Sequence, residues 1–66
     1  MITFENLWKT MESKGVNQYK LIKDYGFSPA QITRLKRNSN INTHTINRLC
    51  EILDCEVENI CKFHKE

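Results

Sequence analysis

Glycine and proline are scarce in this chain, with two of the first and one of the second among 66 residues. Gly15 and Gly26 stand far apart, so no glycine-rich loop exists to cradle a phosphate. Cysteine occurs three times, an odd number that cannot pair off within one chain. Cys50, Cys55, Cys61 and His64 are separated by four, five and two residues, without the paired short spacings of a structural zinc site. Free thiols are therefore expected, with no metal and no other cofactor. No apolar run approaches the ~18 residues of a membrane-spanning helix. No signal-peptide pattern opens the chain, and a reducing cytoplasm is the expected setting. A nucleophilic cysteine served by His44 or His64 would lack an orienting partner, an oxyanion site and a pocket, so no enzymatic activity and no small-molecule ligand are expected.

What is present is helical periodicity. No segment alternates apolar and polar residues as a half-buried strand does, and no internal repeat appears. Phe4, Leu7, Trp8 and Met11 fall at i, i+3, i+4 and i+7, one apolar stripe of a first helix that Thr3 can cap and Gly15 ends near Lys14. Ile2, Phe4 and Trp8 need not all reach one core, which leaves part of this stripe open as a subunit contact. Asn17 caps a second helix. Ile46, Leu49, Cys50 and Leu53 repeat the stripe behind a cap at Asn42, after the polar loop Lys36–Thr43. Val57, Ile60, Cys61 and Phe63 predict a last short helix and tail, with Lys62 and Lys65 near its end. The 66 residues read as a single all-α domain, a compact bundle of four to five short helices. At this size core burial alone leaves such a domain marginal.

The centre of the chain is the run Gln18–Leu35. Leu21 and Tyr25 share one helical face, Gly26 follows where a left-handed residue closes a helix, and Phe27 covers the corner. Ser28 is an N-cap, Pro29 suits the first helical position, and Gln31 completes a capping box. Ile32 and Leu35 then point back at Leu21 and Tyr25. Two helices set at a steep angle by so short a turn make a helix-turn-helix, spanning about residues 18–37. On Leu21, Tyr25, Gly26, Phe27, Ile32 and Leu35 the stretch resembles that of the Cro and phage-repressor type of bacterial regulators. One position departs: Ile22 stands where the family has a small residue at the helix crossing. Asn40–Cys55 is similar to the segment that follows the recognition helix in such repressors, and Val57–Ile60 resembles their short closing helix.

The resemblance implies double-stranded DNA as the partner. The charge distribution agrees: the net charge of +2 divides into +5 over residues 14–37, −2 over 38–66 and −1 over 1–13. In the related repressors, bases are met by the first residues of the recognition helix and by one a turn later. Carried over, these are Pro29, Ala30, Gln31, Thr33 and Arg34. Pro29 and Ala30 can offer only apolar contact to thymine methyls, Gln31 can pair with adenine, and Arg34 with guanine O6 and N7. Gln18 matches the residue that, with the helix amino end, holds a phosphate in such repressors. Lys36, Arg37, Asn38, Ser39, Asn40, Asn42, Thr43 and His44 follow as phosphate candidates, with Tyr19 and Lys23 as outlying flanks of the backbone.

One such domain covers a half-site of a few base pairs, so a homodimer on a palindromic operator is expected, repressing transcription, with Ile60 and Phe63 at the dimer contact. The alternative is an adaptor of the same fold whose third helix meets protein. Salt dependence separates the two, because a DNA reader's log K falls by ~0.9 per phosphate neutralised for each tenfold rise in salt.

Overall fold

The computed structural model describes residues 1–65. Four α-helices carry the chain: α1 over Glu5–Ser13, α2 over Gln18–Tyr25, α3 over Pro29–Lys36 and α4 over Thr43–Leu53, followed by a single 3-10 turn at Val57–Asn59. Two short strands, β1 at Ile2–Thr3 and β2 at Lys62–Phe63, pair antiparallel, with Ile2 opposite Phe63 and Thr3 opposite Lys62. The all-α expectation holds for the body of the fold. The strand pair is an addition that two-residue segments give no periodicity to announce.

Helix boundaries follow local chemistry. Gly15 takes φ 70° beyond α1 while Val16 N–H returns to the Met11 carbonyl at 2.9 Å, a closure that a Cβ-bearing residue adopts only with strain. Asn17 caps α2 by accepting from Lys20 N–H at 2.8 Å, and Asn42 caps α4 by accepting from Thr45 N–H at 2.9 Å. Thr3 does not cap α1. It is extended in β1, its hydroxyl lies 2.7 Å from His64 Nε2, and Phe4 takes the N-cap position without a side-chain bond. The last helix is cut to the 3-10 turn, because Lys62 and Phe63 are drawn into β2.

Phe4, Leu7, Met11, Leu21, Phe27, Ile32, Leu35, Leu49, Leu53 and Ile60 form one core, with Trp8, Val16, Ile22, Tyr25, Ile41, Ile46 and the three cysteines packed around it. The apolar stripes of all four helices thus converge. Phe4 is buried, Trp8 half-buried and Ile2 exposed, so these three do not all reach the core. Polar bonds sew the periphery: Asn6 Nδ2 donates to the Glu58 carbonyl at 3.2 Å, and Thr10 Oγ1 to that of Asn59 at 2.8 Å. No buried side-chain nitrogen or oxygen lacks a partner among the described residues.

Candidate nucleic-acid interface

The turn between α2 and α3 is built as its residues dictate. Gly26 adopts φ 73°, the left-handed conformation that ends α2. The capping box then forms in full: Ser28 Oγ accepts from Gln31 N–H at 3.1 Å, and Gln31 Oε1 accepts from Ser28 N–H at 2.8 Å. Phe27, Ile32 and Leu35 are buried, which rotates the opposite face of α3 outward. On that face Pro29, Ala30, Thr33 and Arg34 are exposed, while Gln31 is half-buried.

Ala30, Gln31 and Arg34 share a shallow cleft of about 290 Å³ with Asn40, Ile41, Asn42 and Thr45. Three base-reading candidates and two phosphate candidates therefore meet in one concavity between α3 and the start of α4. Thr33 lies outside it, and its hydroxyl donates to the Pro29 carbonyl at 3.0 Å. Gln31 can still offer its Nε2 donors and one Oε1 lone pair, the other being used by the capping box.

Lys36, Arg37, Asn40, Thr43 and His44 are exposed and Ser39 is half-buried; of these Asn40 lines the cleft, Ser39 lines a groove with Met1, Ile2 and Phe4, and Thr43 and His44 line another with Ile46, Asn47 and Cys50. Asn38 serves the fold first. It sits at φ 56°, and its Oδ1 accepts from Phe4 N–H at 2.8 Å, tying the loop after α3 to the start of α1. Its amide donors alone remain for a phosphate. Gln18 is the first residue of α2 and lines a separate groove with Trp8, Met11 and Tyr19. Tyr19 is exposed, with Lys23 Nζ 5.6 Å from its ring centroid.

Electrostatically the face is free. Among the described residues the one close approach of a basic to an acidic side chain is His64 Nε2 to Glu5 Oε1 at 3.4 Å, an ion pair only when the imidazole is protonated, and neither residue belongs to the helix-turn-helix. Among the described residues no carboxylate lies within ion-pair distance of the six cations between Lys14 and Arg37, so their field reaches solvent. The cysteines are half-buried free thiols. Burial pushes those of Cys55 and Cys61 above the ordinary thiol value, with the neighbouring Cys50 adding to both. Among the described residues no cluster of histidine, cysteine or carboxylate side chains is arranged to hold a metal ion.

The family model of the Cro/C1-type helix-turn-helix DNA-binding domain matches residues 6–66, nearly the whole chain. The chain belongs to that family. As a Cro/C1-type domain it is a DNA-binding module. The crystal structure of the transcriptional regulator VanUg superimposes with a TM-score of 0.86 at 23% identity, covering 98% of this chain and 87% of that one. That likeness adds the fold. No curated protein matches the sequence. No helix among the described residues is long and apolar enough to cross a membrane.

Two residues of this Cro/C1-type domain gained roles that the sequence did not mark. Asn38 is one. The other is Arg48 of α4, whose Nη2 donates to the Tyr25 carbonyl and whose guanidinium carbon lies 4.7 Å from the Phe27 ring centroid. Its partners lie 23 and 21 residues upstream, beyond any local pattern. The two residues expected at a dimer contact differ in exposure. Ile60 is fully buried in the monomer core and has no surface to offer a second copy, whereas Phe63 is 67% exposed beside Ile2 at 51%.

Proposed function

We propose that this domain is a sequence-specific double-stranded DNA-binding transcriptional regulator, a bacterial or phage repressor acting in the cytoplasm as a homodimer on a palindromic operator. The observation that carries the reading is Arg34: exposed on the outward face of an α3 whose start is closed by a capping box, without an acidic partner among the described residues, and bordering the cleft with Gln31 and Asn40. In the groove Arg34 reads guanine, Gln31 supports it, Thr33 flanks it, and Pro29 and Ala30 make apolar contact with thymine methyls. Lys36, Arg37, Ser39, Asn40, Thr43 and His44 hold phosphates. Asn42 Oδ1 accepts from Thr45 N–H and Thr45 Oγ1, which leaves its Nδ2 donors and the first amides of α4 to a phosphate; the start of α2 at Gln18 offers its first amides on the other side. Phe63 anchors the dimer on half-sites ~34 Å apart.

The test is a selection from random duplex DNA by the purified protein at two salt concentrations. A two-fold symmetric sequence retained at the higher salt supports the reading; unselected sequence that disappears with salt defeats it. A sedimentation profile that stays monomeric at high micromolar concentration with operator present defeats the homodimer. One observation favours a second reading, an adaptor meeting protein: Pro29 and Ala30 offer no polar side chain, and Gln31 spends a lone pair on its cap. For an adaptor, duplex DNA would be a weak ligand at every salt concentration.

A further inference from the structure

Arg48 lies outside every residue set assigned to DNA, yet it touches the one joint on which that assignment depends. Tyr25 is the last residue of α2, so its carbonyl has no helical donor of its own. The Arg48 guanidinium fills that vacancy and brings positive charge to the negative end of the helix dipole. The same planar group stacks on Phe27, which is 2% exposed and leads directly into the Ser28 cap of α3. Gly26, between the two, is left-handed and has open space around it, so packing of its own does not fix the joint. A compact ammonium lacks both the planar face and the forked donors that hold carbonyl and ring together.

Arg48 projects from α4, whose first residues border the DNA-facing cleft. It ties the carboxyl end of α2, the start of α3 and the body of α4 into one unit. We propose that Arg48 is a positioning residue for DNA reading, setting the angle at which α3 is presented relative to the amino end of α4. Base contacts come from α3 and phosphate contacts largely from the loop and α4. Specific binding requires both sets in register, whereas non-specific binding requires only charge. The inference rests on the DNA-binding reading above.

The experiment compares wild type, Arg48→Met and Arg48→Lys on the selected duplex and on an unrelated duplex across a salt series, at matched folded fraction. Arg48→Met keeps the stem on Phe27 and loses charge and donors; Arg48→Lys keeps the charge. The expected result is a drop of about tenfold in preference for the selected duplex in Arg48→Met, a smaller drop in Arg48→Lys, and an unchanged salt slope. Equal loss on both duplexes with a slope shallower by ~0.9 would make Arg48 a phosphate contact and overturn the proposal. Unchanged preference in both variants would leave it a stabilising residue only and overturn it too. Should Arg48→Met fail to fold, Arg48→Lys decides by the same criterion. A wild-type protein without any preferred duplex defeats the DNA reading itself, a failure seen before either variant is compared.

Discussion

Replacing Asn38 separates two effects that the structure superimposes at one residue. Its carboxamide accepts from Phe4 N–H at 2.8 Å, and its backbone sits at φ 56°. Removing the acceptor leaves a partly buried amide without a partner, a loss of ~1–2 kcal/mol. Alanine additionally suffers the left-handed clash, ~1–2 kcal/mol. Glycine escapes that clash but brings a more flexible unfolded chain, ~0.4–1 kcal/mol. Asn38→Ala is thus expected to cost ~3 kcal/mol and Asn38→Gly ~2 kcal/mol, with the order, alanine below glycine, the firmer part. For a domain of this size ~1 kcal/mol moves the melting temperature by ~4–8 °C, so the two variants separate clearly in thermal unfolding followed by far-ultraviolet circular dichroism. Equal melting temperatures, or glycine below alanine, would refute the strain argument. Both variants melting within a degree or two of wild type would refute the hydrogen bond as a stabilising contact.

Ser28→Ala opens the capping box and is expected to destabilise by ~1 kcal/mol, read by urea unfolding; an unchanged midpoint would mean the cap contributes nothing. Arg34→Ala should lose ~1–3 kcal/mol on the selected duplex and relax preference at one base pair, measured by fluorescence anisotropy on single-base variants. Equal loss on all sequences would reassign it to a phosphate. Lys36→Ala and Arg37→Ala should weaken all duplexes alike and flatten the salt slope; a changed sequence preference would contradict their role. Cys55 and Cys61 titrate above the ordinary thiol range in the folded state, so alkylation should be slower than in the unfolded chain. The sign of the linkage follows: stability is full below the unfolded thiol value and falls as pH rises through the higher folded one. Alkaline unfolding that is unaffected by Cys55→Ala would contradict this.

What the sequence made legible was local. Asn17, Ser28 with Gln31, Asn42 and the glycine after Tyr25 each act within five residues of themselves, and each took its expected place. The stripes were equally readable, because a helix buries what its period aligns. Non-local bonds were not readable. Asn38 reaches back 34 residues to Phe4 and Arg48 reaches 23 to Tyr25, and nothing in either neighbourhood announces it. Ile60 shows the same limit from the apolar side: sequence marks it as hydrophobic, but only the packing of the 3-10 turn against α1 and α4 decides that it faces the protein's own core. Thr3 was drawn from cap to strand by His64, 61 residues away. For the candidate interface, sequence supplied the residue types on the outward face of α3, and the fold supplied the cleft that gathers Ala30, Gln31 and Arg34 with Asn40 and Asn42.

The pairing of β1 with β2 has a dynamic consequence. Two residues per strand make a short ladder, fixed at its margin by Met1 and His64, whose backbones exchange bonds at 2.9 and 2.7 Å. With so few bonds and with Ile2 and Phe63 exposed, this clasp is expected to open before the helical core, which hydrogen exchange at the His64 amide would read. Phe4 follows β1 directly, and its amide holds Asn38 and hence the loop after α3. The strand pair and the loop after α3 are thus joined through one residue, and tightening or freeing the clasp is expected to change how sharply that loop is set.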